Sequence, residues 1–371
     1  YLQANSGSFL FGSLYYALKN EFEKLTSSHA DELAYPLAHF WVPKFVIHLE
    51  KEKFEYLQGD QDEESFTFLD YFMEEEIDHN FHSFPYRFQA RTSKERYISQ
   101  VEKLKAHIQR GDIYEVNYCQ EFFAENVELD FPMDTYFKLN RITKAPFSTF
   151  LQTDNHVIFC GSPERYLKKK GKRLLSQPIK GTAPRGMDAQ ADEALKLHLQ
   201  NDPKERAENI MIVDLVRNDL SRIAKKGSVQ VSELCGIHTF ETVHQMISTV
   251  ECEVEQDLPF MDILKASFPM GSMTGAPKIA AMKYIEGIEN FKRGWYSGAL
   301  GYIAPDGDFD FNVVIRSVLC DTNNKVLNYN AGGAITIDSI AEQEWMEVQL
   351  KTKAITEVLK GGENKSNSAV T

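Results

Sequence analysis

Residues 295–319 read WYSGALGYIAPDGDFDFNVVIRSVL. Two apolar, strand-like runs, WYSGALGYIA and FNVVIRSVL, flank the turn signal PDGD at 305–308. Proline presets the backbone of a turn and Asp-Gly tolerates its tight corner, so the stretch predicts antiparallel strands rather than strand, crossover helix and parallel strand. The same texture recurs in HVIFCG (156–161), GSVQVSEL (227–234) and HQMISTVECEV (244–254), with a second tight turn at TNN (322–324). Helical patterns are fewer. Thr92 and Glu95 form a capping box, after which Tyr97, Val101, Leu104 and Ile108 recur at helical spacing until Gly111. Two longer patterns run from Asp188 to about Lys226, broken near Pro203, and from Ser339 to about Lys360. Strands thus outnumber helices, which points to antiparallel sheets with helices on the outside.

Composition sets the outer bounds. The chain has 371 residues, 43% of them apolar and 12% aromatic, enough to bury a large core. Its formal charge of -13 gives no net attraction to nucleic acid or anionic lipid, and no apolar run approaches the roughly 20 residues of a membrane span. Five scattered cysteines without a CxxC pairing fit reduced, buried thiols and a cytoplasmic setting. The first residue is Tyr1 rather than Met. Residues 1–90 carry no catalytic pattern and read as a scaffold part of the same fold; 91–361 carry the chemistry; 362–371 are polar and expected to be disordered.

Several stretches stand out chemically. SQPIKGTAPRG (176–186) places Lys180 among two prolines and two glycines, which reads as a shaped loop rather than helix or strand. Alone, Lys180 reads as a solvated turn residue, and the rest of the sequence has to overturn that reading. Glu344, Glu347 and Lys351 are spaced i, i+3, i+7, so a helix presents them on one face, whether as a solvated charge line or as a site. Glu208 leads directly into the apolar run IMIV and borders a buried surface. Carboxylates from two helices, completed by water and substrate oxygens, suit Mg²⁺. GSMTGAPK (271–278), GALGY (298–302) and AGGA (331–334) permit close backbone approach; Pro277 stands where a phosphate loop has its lysine, which rejects that reading. Arg316, inside NVVIRSV, is either half of a structural ion pair or a fork for a carboxylate.

In this order, SPER (162–165), PIKGT (178–182), RAENIMIVDLVRND (206–219), GSMTGAPK, GALGY, IRS, NAGGAI and AEQEWMEVQLK resemble the chorismate-utilising enzymes, a family that includes anthranilate synthase component I. The resemblance runs from about Gly111 to Lys360. It implies an α+β fold: a large α/β sandwich of two mainly antiparallel sheets packed together, with helices outside. It also implies chorismate as substrate and Mg²⁺ as cofactor, with Glu208 and Glu347 as metal ligands and Glu344 beside them. By the same resemblance Lys351, Arg316, Tyr302 and the Gly332–Gly333 backbone hold the substrate carboxylates, and Thr274 and Gly275 line the cavity.

The residue between PI and GT separates branches of that family. Members with Ala there form anthranilate; members with Lys aminate chorismate to 4-amino-4-deoxychorismate. Lys180 places this chain with the second group. The implied mechanism is attack of the Lys180 amine on C2 as the C4 hydroxyl departs with a proton from Glu164, followed by ammonia at C4. That chemistry needs a neutral amine, so burial beside Mg²⁺ or an arginine is expected to lower the Lys180 pKa. Water-activating members carry a lysine near the position of Glu115, and aminating members usually carry Gln. The family's catalytic histidine falls on Gln245, with His244 adjacent and given no role. No glutaminase module is present, so the resemblance implies a separate glutamine amidotransferase subunit supplying ammonia. Anthranilate formation, or chorismate binding without catalysis, are the alternatives.

Overall fold

The computed structural model describes residues 1–31, 33–50, 53–74, 86–129 and 132–359, so the expected tail at 362–371 lies outside the described residues. The PDGD turn closes as expected. Ala299–Ile303 pairs antiparallel with Phe309–Asn312, in the register Gly301 to Phe311 and Ile303 to Phe309. FNVVIRSVL, however, is not one strand. Phe309–Asn312 belongs to one sheet and Ser317–Asp321 to another, and the chain crosses between them at Val313–Arg316. Arg316 has a φ of 51°, a left-handed conformation that ends regular pairing there.

Among the described residues the larger sheet has nine strands. Its order is Ile179–Pro184, Val243–Glu253, Arg173–Gln177, Arg165–Lys170, Phe309–Asn312, Ala299–Ile303, Leu10–Leu14 and Ala38–Trp41, with Gln230–Thr239 also pairing Val243–Glu253. The seven-stranded sheet runs Gly275–Ala276, Glu115–Glu125, Val326–Ile335, Ser317–Asp321, His156–Ser162 and Phe147–Gln152, with Gln89–Ala90 on Glu115–Glu125. Their pairings are antiparallel. The TNN turn joins Ser317–Asp321 to Val326–Ile335, where Asp321 Oδ1 accepts from the backbone of Asn323 and Asn324.

One core cluster joins the two sheets, through Leu14, Leu167, Leu174, Val250 and Phe311 on one side and Cys119, Ile158 and Leu319 on the other, and continues onto Ile212 and Val216. A second packs the smaller sheet against helices Lys94–Gln109, Pro132–Thr143 and Ala341–Leu359 through Tyr97, Val101, Leu139, Val348 and Ile355. Pro203 breaks the long helical pattern as read. Ala189–Asn201 ends, and Pro203–Ser221 starts with Asp202 Oδ1 accepting from the backbone of Lys204 and Glu205. The cap of the Lys94–Gln109 helix lies one residue later than read: Ser93 accepts from Arg96 N, and Thr92 donates to Asn290 instead. Among the described residues no helix is long and apolar enough to cross a membrane.

Candidate active site

The segment read as a loop around Lys180 is an edge strand, Ile179–Pro184. An edge tolerates Pro184, and Gly181 with φ 89° sits in a bulge where the pairing to Val243–Glu253 shifts between Ile179 and Thr182. A Cβ on Gly181 would meet Leu199 Cδ1 at 3.0 Å and Glu205 Oε2 at 3.1 Å, so the two helices after it press the strand into place. The buried Lys180 Nζ donates to Glu115 Oε1 at 3.0 Å and lies 3.9 Å from Glu208 Oε2. The expected fall in its pKa is reversed. Burial alone would lower it, but the carboxylates of Glu115 and Glu208 outweigh burial and hold it above the ordinary lysine value. In the free protein Lys180 is an ammonium.

Glu164 lies at the start of the Arg165–Lys170 strand, buried, with Ser272 Oγ donating to its Oε1 at 2.7 Å. Burial pushes its pKa up to about 7, against the opposing pull of the Ser272 hydrogen bond and Lys180. A carboxyl group still protonated near neutrality can donate that proton. Ser272 belongs to the GSMTGAPK segment, which docks on the Glu115–Glu125 strand: Asn117 N donates to Thr274 O at 2.8 Å, Asn117 Nδ2 to Ser272 O at 3.1 Å, and Gly275 pairs with Val116. Gly275 has φ 142°, and a Cβ there would lie 2.2 Å from Glu115 O, so only glycine permits this approach. Thr274 is fully buried beside it. Arg316 is linked electrostatically to Glu164, while burial lowers its pKa. Its guanidinium makes no ion pair within 4.0 Å among the described residues.

The charged helix face runs from the buried Glu344 through the half-exposed Glu347 to the exposed Lys351, alongside Gly332 and Gly333. A Cβ on Gly333 would sit 3.2 Å from Glu344 Oε2 and 3.4 Å from Glu347 Oε1, so the glycine leaves room for both carboxylates. Lys351 Nζ lies 2.7 Å from Glu347 Oε1 and donates to Gly332 O at 2.9 Å. Lys204 Nζ stands 3.8 Å from both Glu208 Oε1 and Glu344 Oε1, a cation bridging carboxylates of two helices. Burial pushes Glu208 up to about 7 and raises Glu344; Lys351 offsets burial at Glu347 and lowers it. These residues fit a hard divalent cation. The donors are carboxylate oxygens, a lysine ammonium already occupies the bridging position, and the glycine cradle leaves space at the carboxylates. Among the described residues no group of three or more acidic, histidine or cysteine side chains is placed to hold a metal ion. Mg²⁺ needs no such group, since it keeps several waters and takes oxygens from its substrate.

Tyr302 is not brought to this group. It is 39% exposed, its ring lies 6.0 Å from Phe11 and 6.3 Å from Phe9, and it faces Asp310 across the strand pair. Tyr296, just before that motif, is buried instead, and its hydroxyl contacts Cys119 Sγ, the atom against which Gly332 packs. His244 is engaged elsewhere, between Asp192 and Thr239 at 2.9 Å each. Gln245 is buried with neither amide atom partnered among the described residues. Sequence reading missed Lys204, Ser272 and the role of Glu115; only Glu115 carried a signal, as an unusual acid at its motif position.

A sandwich with a buried lysine set among carboxylates between its sheets defines the class: the chain belongs to the chorismate binding enzyme family, whose pattern matches residues 1–357. Among its relatives, aminodeoxychorismate synthase component 1 of Klebsiella aerogenes is 38% identical over 266 residues, 72% of this chain and 58% of that one. The probable chloroplastic aminodeoxychorismate synthase of Oryza sativa subsp. japonica is 40% identical over 276 residues, 74% of this chain and 30% of that one. The chain therefore spans less than two thirds of the length of these relatives. Anthranilate synthase component I from Streptococcus pneumoniae superposes with a TM-score of 0.83 at 30% identity, covering 95% of this chain and 81% of that one.

Proposed function

We propose that this chain is an aminodeoxychorismate synthase component I, converting chorismate and ammonia to 4-amino-4-deoxychorismate. The observation that carries the reading is Lys180, an amine held between Glu115 and Glu208 and coupled electrostatically to the buried Glu164. In the proposed reaction Lys180 passes a proton to Glu115 along their hydrogen bond and its Nζ bonds C2. Both ring double bonds shift, the C4–O bond breaks, and Glu164 gives its proton to the departing hydroxyl, which leaves as water. Ammonia then bonds C4 and the C2–Nζ bond breaks, returning the pair to Lys180. The new ammonium returns a proton to Glu164, and Glu115 returns its own to Lys180. Arg316, Lys351 and the Gly332–Gly333 backbone would hold the substrate carboxylates, with Thr274 and Gly275 lining the cavity. Tyr302 takes no part in this reading. Product identification from chorismate and ammonium by mass spectrometry tests it: anthranilate or unreacted chorismate would overturn it.

Glu208 and Glu347, with Glu344 adjacent, would hold Mg²⁺, which when bound neutralises and orients a substrate carboxylate. Glu208→Gln or Glu347→Gln is expected to weaken Mg²⁺ binding by at least about tenfold while the fold persists. Titration calorimetry with MgCl₂ on each variant checks this, and wild-type affinity in both would refute the assignment.

A separate glutamine amidotransferase subunit is proposed as the ammonia source. All five cysteines are buried and unpaired, and burial raises every thiol, to about 12 at Cys119, Cys252 and Cys320 and about 11 at Cys160. None is a ready thiolate nucleophile. Their unpaired state also supports a reducing, cytoplasmic setting. The chain alone is expected to turn over with ammonium salts and to be inert with glutamine; glutamine-dependent product from the purified chain would count against the partner.

A further inference from the structure

Lys19 is only 3% exposed, and among the described residues no carboxylate lies within 4.0 Å of its Nζ, which donates to Asn20 Oδ1 at 2.7 Å. Lysines are seldom buried to this degree without an anionic partner. Burial lowers its pKa to about 8, a fall that Glu286 and Glu289 oppose without cancelling and that Arg293 deepens. Those acids are engaged elsewhere. Both Glu289 oxygens accept from Arg293, at 2.7 and 2.9 Å, and Glu286 Oε1 accepts from Ser28 N at 3.1 Å. Lys19 lines a pocket between residues 16–27 and 285–294, with about 350 Å³ of empty space, open solvent at its mouth included. Two more lining residues bring orphaned hydroxyls: Tyr16 Oη and Ser27 Oγ are buried without a hydrogen-bond partner among the described residues. Tyr16 is held in place, since its backbone N donates to Gly294 O at 2.9 Å. The other lining cations are spent. Lys292 pairs with Asp31 at 3.5 Å, and all five N–H groups of Arg293 are used, on Glu289, Met273 O, Asn117 O and Ser297 Oγ.

We infer that this pocket is a binding site for a small oxyanion, a carboxylate or phosphate group that accepts hydrogen bonds from Lys19 Nζ, Tyr16 Oη and Ser27 Oγ. Lys19 repels a cation, and an apolar group would leave all three donors unsatisfied. An oxyanion supplies several acceptor lone pairs together with the missing negative charge, and charge-assisted hydrogen bonds are the strong ones. The pocket shares no lining residue with the proposed active site. Arg293 links the two: it donates to Met273 O at 2.7 Å and Asn117 O at 2.8 Å, and both residues adjoin Ser272, the hydrogen-bond partner of Glu164.

Titration calorimetry of the whole chain with sodium phosphate, and separately with sodium acetate, at constant ionic strength tests this. Saturable binding of at least one of the two is expected. Phosphate tighter than acetate identifies a phosphoryl ligand and the reverse a carboxylate; either supports the site. Lys19→Met, which keeps the stem and removes the charge, is expected to weaken binding at least about tenfold, and Tyr16→Phe about threefold. Binding that survives Lys19→Met and is lost in Arg316→Gln belongs to the active site and overturns the proposal, as does the absence of saturable binding. The wild-type chain gives a second readout. Its Lys19 amine, labelled by reductive methylation and followed by peptide mass spectrometry, is expected to lose most of its label when the bound anion replaces chloride. Equal labelling in all three salts overturns the site even if the variants fail to fold.

Discussion

Lys180→Ala is expected to lose the covalent enzyme–substrate adduct and to slow amination at low ammonium by roughly 10³-fold or more, as for other removed nucleophiles. The variant need not be silent. Alanine recreates the PIAGT-type segment of the anthranilate-forming members, in which ammonia itself reaches C2, so some anthranilate-type product at high ammonium is the expected signature. Lys180→Arg keeps a cation between Glu115 and Glu208, yet a guanidinium gives up no proton at neutral pH and cannot attack. It is expected to fail in both modes. If Lys180 were only an electrostatic anchor for a substrate carboxylate, the order would reverse and Arg would outperform Ala. Steady-state rates of both variants, with intact-protein mass spectrometry of trapped wild type, separate the two accounts. An active Arg variant without any adduct on the wild type rules out the nucleophile. Removing the cation also leaves Glu115 without its ion-pair partner, at a cost of about 3–5 kcal/mol, so the Ala variant should unfold at lower denaturant than the Arg variant.

Glu164→Gln should lower turnover on the order of 10²–10⁴-fold, the range for a lost proton donor. The pH profile gives the finer test. Burial pushes Glu164 up to about 7, so the acid form is present below that pH and is lost as pH rises through it. Wild-type turnover is therefore expected to carry a falling limb near pH 7, and Glu164→Gln, slow throughout, should lack it. The same shift has a stability consequence with a definite sign. A carboxyl raised above its unfolded value contributes stability that is complete below the ordinary carboxyl range and disappears as pH climbs through about 7. A falling limb that survives in Glu164→Gln assigns it to another group.

Much of the site was legible because its motifs are short and keep their own spacing. Glu344, Glu347 and Lys351 share a helix face at i, i+3, i+7, and the Ala341–Leu359 helix presents them to Gly332 and Gly333 as that spacing requires. Pro203 marks a helix start wherever it is preceded by a capping Asp202. The PDGD turn needs only four residues to fold two strands together. Tyr302 shows the limit of motif matching. Its strand places it beside Phe9 and Phe11, and the neighbouring Tyr296 is the one turned inward.

Local chemistry thus determined, from the sequence alone, where turns close, where helices begin, which family motifs occur and which side chains carry reactive groups. What it left undecided depends on atoms distant along the chain. FNVVIRSVL reads as one strand until two sheets compete for it and Arg316 becomes the crossing point. SQPIKGTAPRG reads as a loop until Val243–Glu253 offers its edge for pairing. The charge on Lys180 was misjudged for the same reason. Burial by itself lowers a lysine pKa, but Glu115 comes from a strand 65 residues earlier, and at 3.0 Å its field reverses the sign. Coulomb and hydrogen-bond energies depend on distance in space, which separation along the chain does not encode, so only the packing of the two sheets decided what the central amine is and what faces it.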